Sequence, residues 1–418
     1  MRPVQALRAC LAMALLCVAQ VSRADPSFDA YVTEVLARQP SLQAQSLRRG
    51  ALVHESNAAA LGPDPVLTVM GDRLPGTATG AEMPMVRYQV AQMFMWPGKL
   101  PLMRDAIRAE ADLAGANLDV KRQDLALEAR RAYLMLVLNG KRREINRASR
   151  GLAATIAAAA LGRYASQAGG HHEVVRAEVE VRALDVQHEA LVGERSSMIA
   201  MMNALRFQPG ETPITEPTVF AWAEKRTFAI DALVAAAARQ RPELREMAAM
   251  QEGMARMERL ARKAPYPDLM AGAWFNQMLM GAPSSFGVML GGNIPVWGLE
   301  RASLRGDAYR DRADAVLRDA SSMRAMIASQ VVSAHVRFET AGRVAELLET
   351  IAIPRAREGL SASLSGYSTG SVELVGVLES RRALQVAELS LAEARVEREL
   401  SLALLERAAG GPLPRVAP

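Results

Sequence analysis

Thiols are nearly missing from this chain. Its two cysteines, Cys10 and Cys17, both lie in a segment that reads as a removable secretory leader over residues 1–24. Arg2 and Arg8 precede the apolar run Ala9 to Ala19, and Ser22-Arg23-Ala24 supplies a small-residue cleavage site. The run is too short to span a bilayer as a helix. A mature protein starting at Asp25 is expected to have no disulfide, no nucleophilic thiol and no thiolate metal ligand. Neither cysteine follows the small residues that lipid attachment requires, so an unlipidated amino terminus is expected. Aromatic residues are scarce as well, at 5% of the chain. The net charge of +5 comes from interspersed charges of both signs. No basic block with aromatic interleaving occurs, which argues against a nucleic-acid partner. The five histidines, His54, His171, His172, His188 and His335, belong to no zinc-protease helix, and neither a phosphate loop nor a serine elbow is present. The expectation is a protein that is not an enzyme and holds no cofactor.

Alanine, leucine and arginine dominate instead, the composition of long helices. They are organised in a duplication. Pro40-Ser41-Leu42 returns as Pro242-Glu243-Leu244 about 200 positions later, and Pro63-Asp64-Pro65-Val66-Leu67 returns as Pro265-Tyr266-Pro267-Asp268-Leu269. Trp96-Pro97-Gly98 maps on Trp297-Gly298, and Tyr164 with Gly170 on Tyr367 with Gly370. The expected organisation is a first repeat over 25–228, a second over 229–410 and a flexible tail over 411–418.

Each copy changes period at its Pro-x-Pro pair. In the segment Val86 to Trp96, Val86, Tyr88, Val90, Phe94 and Trp96 share one face; in Phe286 to Val296, Phe286, Val288, Leu290, Ile294 and Val296 do. Arg87, Gln89, Gly287, Gly291 and Asn293 take the other face. Strict alternation of this kind predicts barrel strands, apolar toward lipid and polar toward a lumen. Weaker strands are expected at Val66 to Leu74 and Leu269 to Gln277, joined to their partners by the Gly-, Pro- and Ser-rich loops Pro75 to Pro84 and Met278 to Ser285. The segments that follow, Gly98 to Tyr164 and Leu299 to Ser365, lack a comparable break; a straight helix of either length extends about 100 Å. The second carries a seven-residue seam through Ala313, Ala320, Ile327, Ala334, Ala341 and Leu348, with Leu317, Val331, Phe338 and Ala345 four residues after most of them, a coiled-coil pattern with small side chains. Each turns at glycines, Gly169-Gly170 and Gly366 with Gly370, and returns as a shorter helix, Glu173 to Leu205 and Val372 to Ala408.

Four strands cannot close a barrel, and an open edge in hydrocarbon leaves backbone groups unpaired at several kcal/mol each. Oligomerisation follows. Two copies supply eight strands, whose interior side chains fill; three supply twelve, with room for solutes, so a homotrimer is the expectation. A periplasmic adaptor needs one hairpin and no strands, and a stand-alone porin has strands without long helices.

These features together resemble the TolC-like outer-membrane factors over essentially the whole mature chain. The resemblance rests on the duplication, the two Pro-x-Pro pairs, Met95-Trp96-Pro97-Gly98-Lys99, Tyr367-Ser368-Thr369-Gly370 and Leu374-Val375-Gly376-Val377-Leu378. It implies a mixed, mainly α fold: a trimer whose twelve-strand barrel in outer-membrane lipid continues as a long periplasmic helical barrel. It also implies a passive duct docked to a periplasmic membrane-fusion adaptor and an energised inner-membrane transporter of the RND type. Trp96-Pro97-Gly98-Lys99-Leu100 and the short chain look most like the heavy-metal cation branch; multidrug efflux and type I polypeptide secretion are the alternatives.

The resemblance places a gate at the periplasmic tip, where many relatives carry two aspartates three residues apart on the returning helix. Those positions read Gly376 and Glu379 here, so the first acid is missing, and Glu373 is the candidate for a second carboxylate ring. The alternative for both glutamates is plain surface charge. Pro354, which has no counterpart in the first repeat, is the expected hinge. Gly169, Gly170, His171, His172, Gly366 and Gly370 are the expected hairpin tips and adaptor-docking positions. No third ligand accompanies His171-His172-Glu173, which reads as a solvated turn with an acid at a helix start. Met247, Met250, Met254 and Met257 recur at helical spacing and read as packing rather than soft-metal ligands. No metal site is expected.

Overall fold

The structure is a computed structural model that describes residues 28–72, 85–214, 222, 227–278 and 283–413. The leader over 1–24, the loop Pro75 to Pro84, the apex of the Met278 to Ser285 loop and the tail beyond residue 413 lie outside the described residues, as do the last two residues of the expected strand Val66 to Leu74.

The chain is mainly helical with one antiparallel sheet. Helices α1 (Phe28–Arg38) and α2 (Pro40–Ala58) lead into strands β1 (Val66–Asp72) and β2 (Met85–Phe94), then helices α3 (Lys99–Ala165) and α4 (His171–Leu205). The same order follows again: α5 (Ile230–Gln240), α6 (Pro242–Lys263), β3 (Leu269–Met278), β4 (Ser285–Gly292), α7 (Gly298–Leu347), a π-turn (Leu348–Ala352), α8 (Ile353–Thr369) and α9 (Leu374–Ala409). Proline opens both α2 and α6, where its missing N–H costs no helical bond. Among the described residues no helix is long and apolar enough to cross a membrane.

Two compact units emerge, each drawing on both halves of the sequence. One comprises Met1–Gln39, Leu125–Thr227 and Ala334–Leu405. Its core joins the turn-proximal parts of α3, α4, α8 and α9 through Ile156, Ala160, Val174, Ala177, Ile353, Leu360, Leu374 and Val377. The other comprises Pro40–Asp124, Phe228–Ser333 and Glu406–Pro418 and contains the sheet. Its helices pack on small side chains, with Ala106, Ala109, Ala237, Ala302 and Ala320 all buried. There Arg241, buried between α5 and α6, donates to the Arg407 carbonyl at 2.7 Å and to Gln330 Oε1 at 2.9 Å.

The sheet order is β1-β2-β3-β4, antiparallel throughout. Two strands stop earlier than their alternation suggests. β4 ends at Gly292, not Val296, because Pro295 has no N–H for a ladder, and the Val296 amide bonds locally to the Ile294 carbonyl. β2 ends at Phe94, not Trp96, because the Trp96 amide donates to Asp268 Oδ1 at 2.8 Å.

α3 is the uninterrupted 67-residue helix its sequence predicts, but the second long segment is interrupted at the π-turn. The seam of α7 is buried at Ala313, Ala320, Ile327, Ala334 and Ala341, and at Val331, Phe338 and Ala345. Leu317 is exposed; Val316, one residue earlier on nearly the same face, is buried in its place. Beyond the π-turn the buried residues are Ile353, Leu360 and Tyr367. Each lies one residue past the position that continues the phase of Phe338 and Ala345. A π-turn adds one residue to a helix without ending it, and the seam resumes one residue late. The expected seam position Leu348 falls inside this turn.

Candidate functional site: a two-faced sheet and two tied hairpin turns

Directly paired residues in a sheet point to the same side, so the register assigns every side chain to a face. Phe286 pairs with Phe275, Phe275 with Tyr88 and Tyr88 with Val69; Val288, Ala273, Val90 and Leu67 form the next row, and Leu290, Ala271 and Gln92 the next. This face is apolar apart from Gln92 and Gln277, and its β4 side chains Phe286, Val288 and Leu290 are more than 80% exposed. The opposite face carries the rows Ser285, Asn276, Arg87 and Met70, then Gly287, Trp274, Gln89 and Thr68. Polar and glycine residues concentrate there. Among the described residues β1 pairs only with β2, and β4 only with β3, so each edge strand has one open side.

The strand ends that meet the helices are fixed by a buried lysine. Lys99 Nζ donates to the Tyr266 carbonyl at 2.7 Å and to Asp268 Oδ1 at 2.9 Å, while the Asp268 amide donates to Asn293 Oδ1 at 2.6 Å. Trp96 stacks on Tyr266 with ring centres 5.2 Å apart. Trp297, also at this end, is exposed. Aromatic rings thus gather at one end of the apolar strand band.

In the other unit, the turns α3–α4 and α8–α9 are tied together. Arg163 Nη1 donates to the Tyr367 carbonyl and Nη2 to the Ala168 carbonyl at 3.0 Å, with the guanidinium 4.6 Å from the Tyr367 ring centre. Tyr367 OH donates in turn to Glu173 Oε2 at 3.1 Å. Burial and then the Glu173 carboxylate push the Tyr367 hydroxyl above its ordinary range. Gly370 has φ 80° and closes α8 with the Ser371 amide bonded back to the Gly366 carbonyl at 2.8 Å, a Schellman turn. In the first turn the left-handed residue is Gln167, φ 58°, not either expected glycine. Gly169 packs closely in this turn: a Cβ there would sit 2.9 Å from Glu173 Oε2 and 3.2 Å from Arg163 Cβ.

Deeper in the same unit, Glu180 lies between two arginines. Its carboxylate accepts from both Arg381 and Arg382. Arg381 is 1% exposed. Neither arginine was a candidate from sequence, yet a signal was there. Arg381 stands on the core face marked by Leu374, Val377, Leu378 and Leu384, and Glu180 on that of Val174, Ala177 and Leu184: opposite charges at core positions of the two returning helices.

The sequence candidates are dispersed. His171 and His172 are the exposed first residues of α4, with the His171 ring 5.5 Å from that of Tyr164. Glu373 is exposed in the α8–α9 turn, and Glu379 is exposed within α9, where its charge acts on the Arg382 guanidinium. Pro354 is exposed at the start of α8, directly after the π-turn. Among the described residues no group of three or more His, Cys, Asp or Glu side chains is placed to hold a metal ion.

Residues 233–411 match the family model described as outer membrane efflux protein. No curated protein matches the chain. Among solved structures, the outer-membrane channel OprN superposes with a TM-score of 0.80 at 18% identity, covering 93% of this chain and 90% of that one. The outer membrane protein VceC of Vibrio cholerae gives 0.77 at 14%, covering 93% and 97%. CusC, a transmembrane channel, gives 0.79 at 15%, covering 93% of each. At these identities the likeness establishes a shared fold.

Proposed function

We propose that this chain is the subunit of an outer-membrane efflux channel, a trimer acting as the passive exit duct of a tripartite system. A single observation carries the reading: the four-stranded sheet has one exposed apolar face, one polar face and two open edges. In hydrocarbon every strand edge must be paired, so β4 of one copy joins β1 of the next until the sheet closes. Twelve strands enclose a water-filled lumen. The helices extend the duct into the periplasm, where the tied turns meet a membrane-fusion adaptor and, through it, an RND-type pump that supplies the energy. A duct of this kind has no catalytic role and needs no cofactor. Heat-modifiable trimers in outer-membrane fractions are the expected result; a protein recovered only as periplasmic monomer contradicts it.

Heavy-metal cations are the cargo we infer from the Trp96-Pro97-Gly98-Lys99-Leu100 string. Similar TM-scores for OprN and CusC give no preference among branches. A strain lacking the protein should become sensitive to silver, copper, cobalt, zinc or cadmium; sensitivity to organic drugs alone favours a multidrug duct. Within the same reading, Glu373 and Glu379 supply carboxylate rings at the turn end, and Pro354 supplies the hinge of the second hairpin. Unchanged reversal potentials in a Glu373→Ala/Glu379→Ala channel would remove the carboxylate rings and leave the duct standing.

A further inference from the structure

Arg87 is the only positively charged residue of the four strands, whose other charge is Asp72 at the end of β1. The arginine lies on the polar face, one row from Trp274 and in the row of Asn276 and Ser285. Its setting is built across three strands. Arg87 Nε donates to Asn276 Oδ1 at 2.9 Å, and its guanidinium stands 5.3 Å from the Trp274 ring centre. Asn276 is itself buried, and its Nδ2 donates to Ser285 Oγ at 3.2 Å. The Trp274 indole needs the bare backbone of Gly287, where a Cβ would sit 2.4 Å from the ring. An amide oxygen and an aromatic face orient a guanidinium without neutralising it. The side-chain hydrogen-bond partner of Arg87 is thus a neutral amide.

The geometry points to Arg87 as a residue that sets ion preference in the barrel, near the strand ends that lead into segments 73–84 and 279–284. The inference rests on the proposed trimer. Three copies place three fixed positive charges around the lumen, and rings of arginine concentrate anions and repel cations. Asp72, at the end of β1, shares this face, segment 73–84 carries one arginine and one glutamate, and segment 279–284 has no charge, so the test reads the contribution of Arg87 alone.

The test uses the full-length trimer in planar bilayers under a salt gradient, with Arg87→Cys in a background lacking Cys10 and Cys17. Removing the charge should move the reversal potential toward cation preference. A cationic methanethiosulfonate should then move it back, and an anionic one should move it further. Complete modification with no change in reversal potential overturns the inference, and so does failure of the thiol to react in assembled trimers. If Arg87→Cys does not assemble, Arg87→Gln and Arg87→Lys carry the same measurement: the glutamine variant should shift and the lysine variant should not, and equal reversal potentials in all three proteins overturn the inference. A parent protein that assembles but conducts nothing refutes the duct itself, a separate outcome.

Discussion

Glu180 and Arg381 show how much one buried pair contributes to joining the two hairpins. The hydrogen bond from Arg382, opposed by burial and reinforced by the charge of Arg381, holds the Glu180 carboxyl below its usual 4.5. A carboxyl with a depressed folded value stabilises fully above its unfolded value, and that contribution is lost as pH falls through the folded one. Glu180→Gln leaves Arg381 buried without a counter-charge and should cost about 3 kcal/mol at neutral pH. Trimer melting followed from pH 7 downward checks this, since the gap between parent and variant should close once Glu180 protonates below 4.5. A gap independent of pH would assign Glu180 a packing role only. Sequence periodicity places both residues on core faces but does not say which charge meets which. The pairing depends on the relative rotation of two helices about 200 residues apart in sequence, and only tertiary packing sets that. Glu173 reads as a helix-start acid for the same reason, because its partner Tyr367 belongs to the other hairpin.

Elements were legible where one period governs. Alternation over Phe286 to Leu290 assigns the apolar face correctly, and each of those side chains is almost fully exposed in the single chain. Val288→Arg or Leu290→Arg should therefore oppose membrane insertion by roughly 2 to 4 kcal/mol near the bilayer midplane. Gly291→Arg, on the other face with only Met270 Cε near its Cβ at 3.7 Å, should assemble closer to the parent level. Equal amounts of all three variants in outer-membrane fractions would contradict the face assignment. Alternation fails at the strand ends, where Pro295 and the Asp268 carboxylate take over the backbone bonds. The π-turn was invisible as well, since a heptad count assumes a constant number of residues per turn. Its end two residues before Pro354 has a physical rationale: a proline inside an α-helix meets the carbonyl four residues back, and here the Ile353 amide reaches instead to Leu348, five residues back. Deleting Thr350 restores the heptad phase but forces Pro354 into regular helix, a cost of about 3 kcal/mol. Adding Pro354→Ala to the deletion should recover most of the lost melting temperature; a double variant no more stable than the deletion would sever the π-turn from the proline.

At the scale of the whole molecule, the order of helices and strands was readable because each half spells the same succession of Pro-x-Pro, alternating segment and long helical run. The compact units were not, because each is assembled from three stretches of sequence and no local pattern reports which stretches fold together. Assembly rests on one inference, that the open sides of β1 and β4 pair between copies until three have closed the ring. Cysteines at Leu67 on β1 and Leu290 on β4, in a background lacking Cys10 and Cys17, put this to the test with a short bis-maleimide applied to outer membranes. The account predicts a denaturant-resistant ladder of one, two and three linked chains that stops at three, and only when both cysteines are present. A ladder that stops at two, runs past three or fails to form would contradict closure of a twelve-strand barrel by three copies.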